Sequence, residues 1–135
     1  MIRDFCDDDF KRSRSELIQE GKELDYKISK INITDGVLTY GVVIPGINGL
    51  MEYECSPKLG ELTVRFRGDI EFAQLQYDEI KSKITWEGCE KREVGELCEA
   101  FQEMEAFPLK THFLINIVKD DQTGIFVFKR IISPK

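Results

Sequence analysis

Alternating apolar and polar residues between positions 26 and 67 predict four antiparallel strands. The first two flank Asp35-Gly36, a pair that tolerates the positive φ angles of a type I′ hairpin turn. The spacing from Ile28 to Ile31 breaks the alternation and predicts a β-bulge in the first strand. Two further strands, separated by a turn, are expected over 50–55 and 62–67.

Residues 69–87 fit two periodicities. The apolar residues of a possible helical face are Ile70, Ala73, Tyr77, Ile80 and Ile84. Residues 80–86 also alternate as a strand does, from Ile80 to Trp86. We predict two strands that turn near Asp78-Glu79, because neighbouring hairpins favour a continued meander. A helix over the same residues is the alternative.

Helical spacing of apolar residues occurs at two other places. It predicts an N-terminal helix up to about residue 24, which Ser15 as an N-cap would divide. It also predicts a helix over 91–106, shortly before Pro108. The apolar face of this second helix would be Val94, Leu97, Cys98, Phe101 and Met104.

The last segment predicts a closing hairpin between residues 113 and 130, with its turn at 120–124. No repeat or composition break divides the chain, so we expect one α+β domain over 1–135. Its predicted architecture is a mainly antiparallel sheet of about six to eight strands in meanders and hairpins. The N-terminal helix and the helix at 91–106 would pack on one face of that sheet.

Composition narrows the class of protein. With 135 residues, 41% hydrophobic and 33% charged, the chain can bury one core. No apolar run is long enough to span a bilayer and the first residues lack a signal core, so we expect a cytoplasmic location. The four cysteines, scattered and without a C-x-x-C pair, are expected to be free thiols in the core: Cys6, Cys55, Cys89 and Cys98.

Candidate chemistry is sparse. His112 is the only histidine and falls at the start of a predicted strand, where a half-exposed polar residue is ordinary. A metal held by Cys89, Cys98 and His112 is conceivable but lacks motif spacing. Phosphate-binding and dinucleotide motifs are absent. The prediction is therefore no enzyme, no catalytic residues, no metal and no cofactor.

Acidic residues are the most informative feature. The formal net charge is −6, which argues against nucleic acid or anionic lipid as a partner. Residues 87–105 contain seven glutamates and two basic residues. On the predicted helix, Glu96, Glu99 and Glu103 would form an acidic ridge. The residues predicted to bind a partner are Glu93, Glu96, Glu99, Glu103, Asp120 and Asp121.

These observations favour a binding protein over an enzyme. The leading hypothesis is a monomeric or weakly dimeric protein of the immunity type, which blocks a basic toxin such as a nuclease through an acidic surface. The first alternative is a ligand-binding or enzymatic domain, with a pocket lined by aromatic residues from the set Tyr26, Tyr40, Tyr53, Tyr77 and Trp86. An acidic DNA mimic and an effector chaperone are further alternatives.

Overall fold

The computed structural model describes residues 19, 23, 26–56, 60–103 and 109–134. Gln19 and Glu23 are helical, and the rest of the predicted N-terminal helix lies outside the described residues. The elements are β1 (Lys27–Thr34), β2 (Val37–Val43), β3 (Gly49–Ser56), β4 (Glu61–Gly68), α1 (Ile70–Lys83), β5 (Gly88–Arg92), β6 (Gly95–Glu103), β7 (Leu109–Lys119) and β8 (Gly124–Pro134).

The eight strands form one antiparallel sheet in the order β1-β2-β3-β4-β8-β7-β6-β5. Two four-stranded meanders therefore meet where β4 pairs with β8, and α1 connects the first meander to the second. Strands β1 and β5 are the two edges of the sheet. The predicted class, an α+β fold dominated by antiparallel sheet, is confirmed.

The first hairpin forms where the sequence predicts it. Asp35 and Gly36 have φ angles of 53° and 76°, as a type I′ turn requires. The register of β1 against β2 shifts between Ser29 and Asn32, which is the predicted irregularity in the first strand. The closing hairpin is confirmed as well, since β7 pairs with β8 along its whole length.

One face of the sheet carries the core, because alternate residues of neighbouring strands lie opposite one another. The fully buried side chains of this face come from six strands: Leu38, Val42, Cys55, Val64, Phe66, Cys98, Ile115 and Phe126. The same alternation places exposed Glu52 and Glu54 together on the other face of β3, as their spacing predicts.

The prediction of two strands over 69–87 is wrong, because most of this stretch forms α1. The carboxylate of Asp69 accepts a hydrogen bond from the Phe72 backbone nitrogen at 2.8 Å and caps the helix. Ala73 and Tyr77, from the alternative helical face, are buried. The ring of Phe72 packs edge-on against Phe66 of β4, with centroids 4.8 Å apart. The apolar face of the helix is buried against the sheet, and this burial favours a helix over the strand that the short alternation at residues 80–86 indicates.

The predicted helix at 91–106 is also wrong. Residues 88–103 form the hairpin of β5 and β6, and residues 104–108 lie outside the described part of the chain. Every residue of β6 is paired with β7. A Cβ atom on Gly95 would collide with the carbonyl oxygen of Ile117, so this pairing uses a glycine. Tertiary strand pairing therefore overrides the helix propensity of the glutamates.

Gly124 tests how closely α1 lies on the sheet. A Cβ there would lie 2.7 Å from the Ala73 Cβ and 3.1 Å from the Ile70 Cα. We expect Gly124→Ala to push the helix away from β8 and lower the free energy of unfolding by about 1–3 kcal/mol. Urea denaturation measures this change. Gly88→Ala is the matched control, because nothing lies within 4 Å of a Cβ there and its cost should stay below about 0.5 kcal/mol. Equal effects would contradict the close contact.

Candidate functional site

An open groove of about 840 Å³ lies beside α1. One wall is formed by residues 74–81 of the helix. The opposite wall is the β5–β6 turn, residues 91–96, and residues 117–121 at the end of β7 close one side. The groove is thus the space between α1 and the neighbouring β5–β6 turn, which the helix does not cover.

Three polar side chains meet in this groove. Glu96 lies on the same side of β6 as buried Cys98 and Ala100, and so faces α1. Its Oε1 atom accepts hydrogen bonds from the Tyr77 hydroxyl and from Lys81 Nζ, the latter at 2.5 Å. Tyr77 and Lys81 are four residues apart, so they share one side of the helix. The Glu96 side chain is 12% exposed and that of Lys81 is 37% exposed.

These contacts shift two pKa values in opposite directions. The hydrogen bond from Lys81, followed by that from Tyr77, lowers the pKa of the Glu96 carboxyl. Burial, followed by the hydrogen bond to Glu96, raises the pKa of the Tyr77 hydroxyl. Glu96 is therefore a carboxylate and Tyr77 a neutral donor at pH 7.

A disulfide between Cys89 and Cys98 borders the same cluster. The two cysteines lie directly opposite each other in the β5–β6 register. The Tyr77 hydroxyl is 3.3 Å from the Cys98 sulfur, and Glu96 Oε1 is 3.6 Å from it. A disulfide sulfur carries no hydrogen and the single proton of the Tyr77 hydroxyl is donated to Glu96, so the Tyr77–Cys98 approach is a close contact and not a second hydrogen bond. We call Tyr77, Lys81, Glu96 and this disulfide the Tyr77 cluster.

The expectation of free thiols is wrong for Cys55, Cys89 and Cys98. All three are disulfide-bonded. Cys89 and Cys98 are nine positions apart in the sequence, and only the hairpin register brings them together. Both sulfurs and a Glu96 oxygen lie within 4.8 Å of one another. However, sulfurs bonded to each other are not the thiolates that bind a metal.

The six carboxylates predicted to bind a partner divide between the two faces of the sheet. Glu93, Glu96, Asp120 and Asp121 line the groove. Glu99 and Glu103 lie on the opposite face of β6, because strand alternation separates them from Glu96 and Cys98. The acidic ridge of Glu96, Glu99 and Glu103 is therefore wrong.

Charge in the groove is mixed rather than acidic. Its acidic residues are Asp78, Glu93, Glu96, Asp120 and Asp121, and its basic residues are Lys81, Lys91, Arg92 and Lys119. The Asp120 carboxylate accepts hydrogen bonds from the backbone nitrogens of Gln122 and Thr123, at 3.1 and 2.7 Å. These bonds lower the pKa of Asp120 and give it a role in the turn. A ligand of this groove must therefore satisfy both signs of charge.

His112 lies on the face opposite the Tyr77 cluster. Its ring stacks on Phe101, with centroids 4.3 Å apart and an interplanar angle of 4°. Its Nε2 atom is 3.4 Å from Glu99 Oε2, but the alignment is not that of a hydrogen bond. Because Cys98 faces the other side of the sheet, His112 cannot join Cys89 and Cys98 around a metal.

The aromatic residues considered for a pocket are dispersed. Tyr40 and Tyr53 are buried in the core, where their rings stack 5.1 Å apart. Trp86 donates a hydrogen bond to the Lys81 carbonyl oxygen at 2.9 Å, just beyond the end of α1. Tyr77 lines the groove. Sequence reasoning missed its partnership with Glu96, which no local pattern signals because the two residues are 19 positions apart.

Comparison with known proteins gives no relative. No family model, no curated protein and no solved structure matches this chain. Within the described ranges, no helix is both long enough and apolar enough to cross a membrane.

The lowered pKa of Glu96 predicts a pH-dependent contribution to stability. An unperturbed glutamate has a pKa of 4.5, and the pKa of Glu96 in the folded chain is lower. The stabilisation that ionised Glu96 contributes is therefore fully present above pH 4.5 and is lost as the pH falls through the lowered pKa of the folded state. We expect Glu96→Gln to reduce the free energy of unfolding at pH 7 by roughly 1–2 kcal/mol, with allowance for the partial exposure of Lys81. Urea denaturation at pH 7 and pH 3 should show the difference between wild type and variant shrinking in acid. A constant difference would contradict the ion pair.

Proposed function

We propose that this chain is a protein-binding protein that neutralises a basic partner, in the manner of an immunity protein that blocks a toxin. The partner would dock at the groove between α1 and the β5–β6 turn. The observation that carries this proposal is the convergence of Glu93, Glu96, Asp120 and Asp121 on that groove, from two turns that are distant in sequence. The negative charge of the whole chain, −6, would speed the approach of a cationic protein.

The charges of the groove would act as a pattern. Glu96 is already paired with Lys81, so exposed Glu93 and Asp121 are the carboxylates that can receive a partner's lysine or arginine. Lys91, also on the groove wall, would require a matching acidic group and would repel a uniformly basic surface. Such a pattern favours one cognate partner over basic proteins in general.

The disulfides bear on the compartment in which this chain would meet its partner. Stable disulfides are typical of oxidising environments, whereas an inhibitor that acts in the cytoplasm would work among reduced thiols. A cytoplasmic location, expected on other grounds, therefore requires that the fold tolerate opening of the Cys89–Cys98 bond.

A ligand-binding function is the second candidate. The Tyr77 hydroxyl, the Glu96 carboxylate and the Lys81 ammonium converge in a groove whose volume, about 840 Å³, is suitable for a small molecule. We rank it second because these three groups satisfy one another, and a ligand would have to displace existing hydrogen bonds.

Charge reversal tests the docking surface. A basic protein recovered from the native host on the immobilised wild-type chain would be the probe. We expect the double variant Glu93→Lys, Asp121→Lys to weaken its binding by more than tenfold, mainly through a slower on-rate, and the wild-type on-rate to fall as salt increases. Surface plasmon resonance measures both quantities.

Glu103→Lys is the matched control, because it reverses an exposed carboxylate on the opposite face of the sheet. Glu103→Lys should weaken binding of the partner far less than the double variant does. If Glu103→Lys weakens binding and the groove variant does not, the partner docks on the other face.

A further inference from the structure

We propose that the Cys89–Cys98 disulfide is a thiol–disulfide exchange site, opened by attack of a low-molecular-weight thiol on the sulfur of Cys89. This function goes beyond binding of a protein partner and does not depend on it. The inference rests on three features of the bond: its unequal exposure, the polar groups beside one sulfur, and its place at the edge of the sheet.

The two cysteines differ in their accessibility. Cys89 is exposed on β5, an edge strand in which every residue is exposed. Cys98 is 0% exposed, between β5 and β7. Because exchange requires direct access of a thiolate to the attacked sulfur, the reaction begins at Cys89 and makes Cys98 the leaving group.

One proton donor lies beside the sulfur of Cys98. The Tyr77 hydroxyl lies 3.3 Å from the Cys98 sulfur and can turn its single proton from Glu96 towards the negative charge that forms there. Lys81 lies one helical turn further and is held in place by Glu96. The Glu96 carboxylate, 3.6 Å from the sulfur, then accepts a hydrogen bond once Cys98 has taken up a proton.

The reaction is balanced by two molecules of the external thiol. The first thiolate forms a bond to the Cys89 sulfur, and the Cys89–Cys98 bond breaks with its electron pair on Cys98. A second thiolate attacks the sulfur of the first, releases Cys89 as a thiolate and leaves an oxidised dimer of the small thiol. Two electrons pass to the protein, and both cysteine thiolates take their protons from solvent.

Opening the bond would act on the groove. Strand β5 is five residues long and pairs only with β6, so the disulfide is its one covalent tie to the rest of the sheet besides the chain itself. Lys91 and Arg92, at the end of β5, belong to the groove wall. The oxidation state of the bond would therefore set how firmly that wall is held.

Cys55 provides an internal reference. It is disulfide-bonded as well, but it is 1% exposed. A bond that is merely structural should open with a mild thiol only when the chain unfolds. The native chain would be incubated with glutathione over a range of concentrations, quenched by alkylation and analysed by peptide mass spectrometry. We expect Cys89 and Cys98 to be alkylated at least tenfold faster than Cys55. Labelling of Cys89 and Cys98 only after denaturation would overturn the proposal.

A pair of single variants tests the direction of attack. Incubated with oxidised glutathione, Cys98→Ser should gain one glutathione on exposed Cys89. Cys89→Ser is the matched control and should gain none on buried Cys98 while it remains folded by circular dichroism. Modification of both variants at similar rates would overturn the assignment of Cys89 as the attacked sulfur.

Tyr77→Phe separates a role for the hydroxyl from mere packing. The ring is kept, so the fold should persist, but the hydrogen bond to the leaving thiolate is lost. We expect glutathione to open the bond several-fold more slowly in this variant, at unchanged labelling of Cys55. Glu52→Gln, on the other face of the sheet, is the control and should leave both rates unchanged. An unaltered rate in Tyr77→Phe would remove Tyr77 from the exchange step.

No protein partner enters these exchange assays. Their failure would therefore leave the proposed binding function to its own test.

Discussion

Side-chain alternation along paired strands is the constraint on which the rest of this structure depends. Eight strands in one antiparallel sheet present their buried apolar residues to a single side, where Val64, Phe66, Phe126 and Ile115 are fully buried. On β6 the same alternation places Glu96 and Glu99 on opposite faces of the sheet. Glu96 reaches α1 and Glu99 reaches solvent, although only three positions separate them.

Close packing of α1 on the core face of the sheet brings the helix side chains into contact with Glu96 and so forms the Tyr77 cluster. Gly124 lets the helix approach β8, and the side of α1 that carries Tyr77 and Lys81 then meets Glu96. The resulting cluster joins the helix to the β5–β6 hairpin. The hairpin is also held to the sheet by the pairing of β6 with β7. Stability, groove shape and the chemistry of the neighbouring disulfide are therefore linked through the same few atoms.

Elements with strong local signals could be predicted from the sequence. The Asp35-Gly36 turn and the alternation around it specify the first hairpin without tertiary information. The prediction of two strands over 69–87 was wrong where apolar positions fit two periods, and the prediction of a helix over 91–106 was wrong although its apolar positions fit the helical period. In the first stretch the Asp69 cap and burial of Tyr77 favoured a helix, and in the second the pairing with β7 favoured a strand.

The candidate site was predictable only in part. Four of the six carboxylates chosen from composition lie in the groove, but the helical ridge proposed to unite them does not exist. The contacts of Tyr77 with Glu96 and of Lys81 with Glu96 were missed, as was the Cys89–Cys98 bond. They depend on strand register and on the packing of a helix that was predicted as strands. Contacts between residues 15 to 21 positions apart leave no local trace in the chain.

A double-mutant cycle between Tyr77→Phe and Glu96→Gln tests most directly whether Glu96 faces the helix. Urea denaturation of wild type, both single variants and the double variant at pH 7 gives the coupling free energy between the two side chains. Contact between them predicts a coupling of about 1 kcal/mol, with the double variant less destabilised than the sum of the single changes. Additive effects, within about 0.3 kcal/mol, would contradict the contact and would fit a Glu96 that points into solvent.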